Sequence, residues 1–266
     1  MTSFDCCVGF LDTGTPAGAI SEILGYSCYV AKPKTKSTAA IIISTDIFGW
    51  EIPNIRLIAD HFASNGFLCV IPHLFLPPLF PADILGEHSR RIHSLPTEEA
   101  LEVPEFQNLI KLLPEFKKVN DFPILIRKTE EIIGQLKVEY GIQKVGMIGY
   151  CWGGNVVLSM GQNPSSIDAC VANHPSALTF PDHIEKLKVP SCFILPEFDR
   201  SIGKAEVDLI TNVLKSKDFK TKVKYYPNMF HGFAVRGDEK DPEVKEARQD
   251  ALNIAVQFFK DTLLEN

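Results

Sequence analysis

The sequence predicts a single domain of the α/β class, built on a mostly parallel, doubly wound sheet. Short apolar runs alternate along the 266-residue chain with amphipathic stretches. The runs are apolar at both odd and even positions, which is typical of strands covered by helices on both faces. Strands that alternate with helices are usually parallel and joined by right-handed crossovers. The strands are expected at 39–45, 67–72, 144–149, 168–173, 190–196 and 222–227.

Helices are expected between these strands. Gly66 follows the first amphipathic stretch and Gly141 lies near the end of the second, and glycine commonly ends a helix. Residues 74–120 break the alternation, because LFLPPLFPAD is followed by a charged segment spaced by prolines. We expect 74–120 to form an excursion above the sheet or a partial lid, rather than a second domain. The helices are expected at 53–65, 121–139, 154–162, 204–217 and 243–263.

Charge and hydropathy argue against two classes of partner. The net charge is −6 and the lysines are scattered, so no basic surface for nucleic acid is predicted. No apolar run approaches the roughly 18 residues that a membrane span requires. The N-terminal sequence MTSFDCCVGF lacks the charged and apolar regions of a signal peptide. We therefore expect a cytoplasmic protein with neither a nucleic-acid nor a membrane partner.

The cysteines indicate no structural metal site and no disulfide framework. Seven are present, none of them in a CxxC pair, and several lie in the apolar runs LCVIP, ACVAN and SCFIL. A cysteine in such a run usually acts as a small buried apolar residue. We expect no metal and no cofactor.

One cysteine, Cys151, stands in a different setting. The segment GYCWGG, residues 149–154, follows a predicted strand and precedes a predicted helix. A nucleophile on such a sharp turn requires small residues two positions before and two after it, where Gly149 and Gly153 stand. The N-terminus of the following helix favours the thiolate form. By itself the pattern also fits a glycine-rich turn around a buried cysteine.

Two polar residues that follow later strands are candidate partners for Cys151. Asp199 lies in ILPEFDRS and His231 lies in NMFHGF. Ligands bind beyond the C-terminal ends of the strands in a doubly wound sheet, so these residues should meet there. The chain order of nucleophile, acid and histidine is that of a triad on this architecture. His231 would take the thiol proton and later activate water, and Asp199 would orient the imidazole.

Other residues at the strand ends are candidates for the rest of the site. An oxyanion hole requires two backbone donors, for which we expect the N–H groups of Trp152 and Ile47. Asp46, next to Ile47, would hydrogen-bond the resting thiol or cap a turn. His174 follows an earlier strand than the usual base, so we interpret it as a pocket-lining residue. The aromatic residues expected to wall the pocket are Phe48, Trp50 and Trp152.

The motifs GYCWGG, DIFGWEIPN, FDR and FHGF together resemble the dienelactone hydrolase family. DIFGW-x-x-PN and CWGG are most similar to its carboxymethylenebutenolidase-like eukaryotic branch. The resemblance spans essentially the whole chain in a consistent order. It implies an α/β-hydrolase fold and a Cys–His–Asp triad acting on ester or lactone carbonyls. It places the triad at Cys151, Asp199 and His231, and the oxyanion donors at Ile47 and Trp152.

The chain departs from the bacterial members of that family at substrate-contacting positions. Asp46 stands where those members have a longer glutamate that contacts the cysteine. They bind a substrate carboxylate with arginines, one of them four residues after the catalytic histidine, where this chain has Val235 with Arg236 next to it. We expect Arg236, or alternatively Arg90 or Arg91, to contact an anionic group. A solvated surface charge is the ordinary alternative for each arginine.

The sequence therefore predicts a cysteine-dependent hydrolase of small ester or lactone substrates, acting through an acyl-enzyme on Cys151 as a monomer or homodimer. Two other classes stay open. One is a glycan-acting or thiol-based transferase relative on the same scaffold. The other is a non-catalytic small-molecule binding protein, which an intact triad disfavours.

Overall fold

An eight-stranded sheet forms the centre of the molecule in a computed structural model that describes residues 12–80 and 94–264. The strands are β1 (Ala19–Ile23), β2 (Tyr26–Ala31), β3 (Ala39–Ser44), β4 (Leu68–Pro72), β5 (Lys144–Tyr150), β6 (Ala169–Asn173), β7 (Ser191–Phe198) and β8 (Thr221–Phe230). Their order in the sheet is β1-β2-β4-β3-β5-β6-β7-β8. The pairs β1–β2 and β2–β4 are antiparallel, and the other neighbouring strands are parallel.

Helices connect the parallel strands. They are α1 (Pro53–Ser64), α2 (Thr97–Leu101), α3 (Pro104–Val119), α4 (Phe122–Tyr140), α5 (Trp152–Met160), α6 (Asp182–Glu185), α7 (Lys204–Lys215), α8 (Phe233–Arg236) and α9 (Pro242–Phe259), which continues into a π-helical turn at Lys260–Leu264. Local sequence explains several ends. Asp241 caps α9 by accepting hydrogen bonds from the N–H groups of Glu243 and Val244. Gly141 ends α4 in the left-handed conformation, with φ 69°. Among the described residues, no helix has both the length and the apolar character of a membrane span.

The core lies on both faces of the sheet, as the two-sided apolar runs predict. On β5, Val145 and Met147 join one apolar cluster, whereas Ile148 and Tyr150 join the other. Alternate residues of a strand point to opposite faces, so a strand buried on both sides reads as continuously apolar. Helices α4, α5 and α7 cover the first face, and α1 and α9 cover the second.

The α/β class and the mostly parallel sheet are confirmed, with the predicted strands and helices present at slightly shifted ends. The sequence reasoning missed the antiparallel hairpin of β1 and β2. Strand β1 lies at the sheet edge and is largely exposed, and Ile20 keeps 60% of its surface accessible. It therefore lacks the two-sided apolar pattern by which the other strands were recognised.

The segment between β4 and α4 leaves the sheet, and its described parts are residues 74–80 and 94–120. Asn120 fastens its two ends together, because its side chain accepts from the Leu76 N–H at 2.7 Å and donates to the Leu76 carbonyl at 3.0 Å. Phe116 of α3 is fully buried, with its ring centroid 5.6 Å from that of Trp152. Helix α3 is thus packed onto the turn that follows β5.

Candidate active site

Cys151 occupies a strained turn between β5 and α5. Its backbone has φ 52° and ψ −113°, a conformation that residues with a side chain rarely adopt. Its N–H donates to the Asn173 carbonyl at 3.2 Å, and its carbonyl accepts from the N–H groups of Gly154 and Ser176, each at 3.0 Å. These hydrogen bonds hold the strained backbone, and the side chain lines a cleft above the sheet.

The glycines around Cys151 are required by close backbone contacts. A Cβ atom on Gly149 would lie 2.3 Å from the carbonyl oxygen of Gly153. A Cβ atom on Gly153 would lie 2.1 Å from the carbonyl oxygen of Ser44 in β3. Any side chain at either position would push the turn away from the sheet. The spacing noted in the sequence is thus explained by direct packing of the turn on β3 and α5.

Asp199 and His231 form a buried pair beside Cys151. The Nδ1 atom of His231 lies 2.8 Å from Oδ2 of Asp199. The other carboxylate oxygen of Asp199 accepts from the Ser201 N–H at 2.7 Å. Because Asp199 binds Nδ1, Nε2 is the ring nitrogen left for the hydrogen bond between His231 and Cys151. The three residues separated in sequence are therefore brought together in the order acid, imidazole and thiol.

The charge state of His231 follows from this setting. Burial lowers the pKa of the imidazole, but the charges of Asp199 and Cys151 and the hydrogen bonds to both side chains raise it. The net result is a pKa well above the ordinary value of 6.5. His231 can therefore stay protonated at neutral pH beside the Asp199 carboxylate.

The two residues expected to form the oxyanion hole border the same cleft as the Cys151 thiol. Ile47 and Trp152 both line the cleft. Their chain neighbours are already engaged, since the Phe48 N–H donates to a carboxylate oxygen at 3.1 Å and the Gly153 N–H donates to a backbone carbonyl at 3.1 Å. Within the described part of the chain, no such acceptor is recorded for the N–H of Ile47 or Trp152.

Asp46 and Arg236 form a second buried ion pair at the same edge of the sheet. Asp46 accepts from the Arg236 guanidinium with Oδ2 and from the Phe48 N–H with Oδ1. The guanidinium also lies over the Phe48 ring, 4.1 Å from its centroid. Both carboxylate oxygens of Asp46 are thus engaged by groups other than the thiol of Cys151, and the bond from the Phe48 N–H fits the alternative in which Asp46 caps a turn. Arg236 lines the cleft with its charge compensated by Asp46.

The cleft has a volume of about 220 Å³. Cys151 and His231 lie on the side formed by the sheet. Phe106, Leu109 and Leu113 of α3 form an apolar wall that also borders it. Helix α3 was not predicted from the sequence, because its prolines and charged residues obscure the spacing of apolar residues that is typical of a helix.

Two residues expected in the pocket lie outside it. Trp50 is buried beside the ring of His73, with centroids 5.2 Å apart, and under the guanidinium of Arg56. His174 is fully buried, with its ring centroid 4.8 Å from that of His231. Neither Trp50 nor His174 lines the cleft, because both side chains are buried in the protein interior. Arg90 and Arg91, the alternative anion contacts, lie outside the described residues.

Ser176 is a site residue that the sequence reasoning missed. Its Oγ atom lies 3.5 Å from Sγ of Cys151, within hydrogen-bond distance for sulfur. The next residue, Ala177, has φ 55°, and its carbonyl accepts from the side chain of the buried Asn155 at 2.6 Å. The sequence did contain a signal for this role, because Ser176 carries a hydroxyl and lies only three residues after the end of β6. The loop after β6 therefore presents a hydroxyl to the thiol.

These features define a class of protein. A mostly parallel eight-stranded sheet, with a sharp turn after β5 and an acid and a histidine after later strands, is the α/β-hydrolase fold. The solved dienelactone hydrolase of Anabaena variabilis shares this fold, with a TM-score of 0.60 and 15% identity over 92% of this chain and 95% of that one. No group of three or more metal-binding side chains suited to an ion occurs within residues 12–80 and 94–264.

The chain belongs to the dienelactone hydrolase family, whose model matches residues 26–263. It is 29% identical to the hydrolase tropI of Talaromyces stipitatus, over 100% of this chain and 98% of that protein. It is 30% identical to the human carboxymethylenebutenolidase homolog, over 84% of each chain. The resemblance seen in the motifs is confirmed, and the chain is a dienelactone hydrolase-like hydrolase.

Proposed function

We propose that this protein hydrolyses small ester or lactone substrates through an acyl-enzyme on Cys151. The observation that carries the proposal is the hydrogen-bonded series Asp199–His231–Cys151, in which a buried imidazole with a raised pKa lies between a carboxylate and the thiol and can take the thiol proton. A thiolate, rather than a thiol, is the nucleophile that attacks a carbonyl.

The first half of the reaction forms the acyl-enzyme. The Cys151 thiolate adds to the substrate carbonyl carbon, and the N–H groups of Ile47 and Trp152 bind the oxygen as it becomes negative. The intermediate collapses with cleavage of the carbon–oxygen bond, and His231 donates its proton to the departing alkoxide. A thioester to Cys151 remains, with His231 neutral. From a lactone, the alcohol stays attached to the acyl group.

The second half releases the acid and restores the thiolate. His231 takes a proton from water as the hydroxyl adds to the thioester carbonyl. The same backbone N–H groups bind the second oxyanion, and its collapse breaks the carbon–sulfur bond. The sulfur leaves as a thiolate beside the newly protonated His231, so the cycle closes without a further reactant. Asp199 holds the imidazole in one tautomer through both halves.

The test is turnover of p-nitrophenyl acetate by the wild type and by Cys151→Ala. We expect the substitution to abolish turnover above background and wild-type protein stopped during turnover to carry an acetyl group on Cys151, detectable by mass spectrometry. Cys192→Ala is the matched control, because that thiol is fully buried in β7 and does not line the cleft.

Equal hydrolysis by the wild type and Cys151→Ala would contradict the proposal. Binding of esters without turnover by the wild type would instead favour the non-catalytic alternative. Cys151→Ser sharpens the test, because a serine hydroxyl has a far higher pKa than a thiol and is not held as an alkoxide. We expect this variant to lose most activity while keeping the fold.

A further inference from the structure

Helix α3 presents an apolar face to the cleft. Phe106, Leu109 and Leu113 are spaced by three and four residues, so they lie on one side of the helix. All three line the cleft and are only partly buried. Of the other apolar residues of the helix, Phe116 is fully buried in the core, and Ile110 keeps 38% of its surface accessible without lining the cleft. The cleft-facing side chains thus leave apolar surface open to a bound molecule.

The charged side chains that line the cleft are poorly placed to bind an anion deep inside it. Among residues 12–80 and 94–264 they are Lys117, Arg236 and His231. Arg236 is ion-paired with Asp46, and its guanidinium is covered by Phe48. His231 is paired with Asp199. The ammonium of Lys117 lies 5.9 Å from the Trp152 ring centroid. Because Lys117 is exposed to solvent, it lies at the rim of the cleft rather than deep inside it.

We propose that the substrate carries an uncharged, apolar group that binds against Phe106, Leu109 and Leu113, and that α3 thereby determines specificity. This inference rests on the proposed hydrolysis at Cys151. An apolar group bound there removes its own surface and that of α3 from water, which is favourable. A carboxylate bound against these three side chains would lose hydration, and the buried cation that the described residues supply to the cleft, Arg236, is already paired with Asp46, so such binding is unfavourable.

The first test uses substrates that differ only in the acyl chain. p-Nitrophenyl acetate, butyrate and hexanoate form an apolar series, and the p-nitrophenyl monoester of adipic acid replaces the terminal methyl of the hexanoate with a carboxylate. We expect kcat/KM to rise about tenfold or more from acetate to hexanoate, since each methylene in an apolar pocket aids discrimination. We expect kcat/KM for the adipate monoester to fall at least about tenfold below that for the hexanoate. A flat series, or an adipate monoester turned over as well as the hexanoate, would overturn the inference.

The second test changes α3 itself. Leu113→Ser should lower kcat/KM for the hexanoate about tenfold, mainly through KM, and by a larger factor than for the acetate. Ile110→Ser is the matched control on the same helix, because Ile110 is exposed and does not line the cleft, and it should keep the wild-type series. Leu109→Ser provides a second cleft-facing variant, and circular dichroism reports folding of each. Equal effects of the Leu113 and Ile110 substitutions would overturn the role of α3.

The two proposals fail in different ways. Acetate turnover that persists in Cys151→Ala would remove the proposed mechanism. Turnover that depends on Cys151 but is indifferent to chain length and terminal charge would remove only the specificity inference.

Discussion

Two buried carboxylate–cation pairs lie at the same edge of the sheet, and they differ in what the cation can do. Asp199 pairs with His231, and Asp46 pairs with Arg236. An imidazole can gain and lose a proton near neutral pH, whereas a guanidinium stays charged throughout that range. The first pair is therefore suited to move protons, and the second to fix charge and shape beside the cleft. One ion pair can therefore exchange a proton, whereas the other holds a constant charge beside it.

The largest expected effect is that of His231→Gln. Removing the group that carries the proton in both halves of the proposed reaction should lower kcat/KM by about 10³-fold, equivalent to about 4 kcal/mol. The measurement is p-nitrophenyl acetate turnover on protein shown to be folded. Arg236→Lys is the corresponding substitution in the Asp46–Arg236 pair. It should retain activity within about tenfold, because it keeps a cation near Asp46. Equal losses in the two variants would remove the distinction between the pairs.

Breaking the second pair should act on stability. Arg236→Met leaves Asp46 as a buried charge without its partner, which we expect to lower the free energy of unfolding by about 3 kcal/mol. Urea denaturation measures this loss. Combining it with Asp46→Asn removes the uncompensated charge, so the double variant should recover part of the stability. A double variant that is less stable than Arg236→Met would show that the pair is not the source of the effect.

Asp199→Asn tests the first pair through pH. Loss of the carboxylate charge should lower kcat/KM by about 10²-fold, or about 2.7 kcal/mol. The raised pKa of His231 depends on Asp199, so the pKa should fall in this variant. The alkaline limb of the kcat/KM profile, where the imidazolium loses its proton, should then move to lower pH. An unchanged alkaline limb would contradict the assignment of the proton to His231.

The Asp199–His231 pair should also make the free energy of unfolding depend on pH. Because the folded pKa of His231 is raised, the stabilisation is fully present below the unfolded value near 6.5 and is lost as the pH rises through the folded pKa. The difference in unfolding free energy between the wild type and His231→Gln should therefore shrink towards alkaline pH. The contribution of Arg236 should stay constant over that range, because its guanidinium does not deprotonate.

The smallest expected effect is that of Ser176→Ala. Loss of the hydroxyl 3.5 Å from the Cys151 sulfur should lower the rate of thiol alkylation by iodoacetamide at neutral pH about fivefold. Ser176→Thr keeps a hydroxyl and should restore most of the rate. If the alanine and threonine variants react alike, the hydroxyl does not support the thiolate.

Much of the sheet and the positions around Cys151 could be predicted from the sequence, because they depend on patterns among residues close together in the chain. Strands buried on both faces read as continuous apolar runs, and residues such as Asp199 follow them directly. The pairing of Asp46 with Arg236 was not accessible, since it joins residues 190 positions apart through loop geometry. The apolar face of α3 was hidden because Pro104 starts the helix and Pro114 lies inside it. His174 follows a strand, as expected, yet its backbone turns with φ 34° and buries the ring.

The contact between Gly153 and β3 has a consequence for how this enzyme scaffold can change. The Gly153 N–H donates to the Thr45 carbonyl, so the loop that carries Ile47 and the turn that carries Trp152 are joined backbone to backbone. Neither can shift alone, which fixes the distance between the two proposed oxyanion donors. Helix α3, on the other wall, contributes only side chains to the cleft. Under the proposed mechanism, substitutions on α3 can therefore change the substrate preference while the half of the cleft that carries Cys151 and His231 stays unaltered.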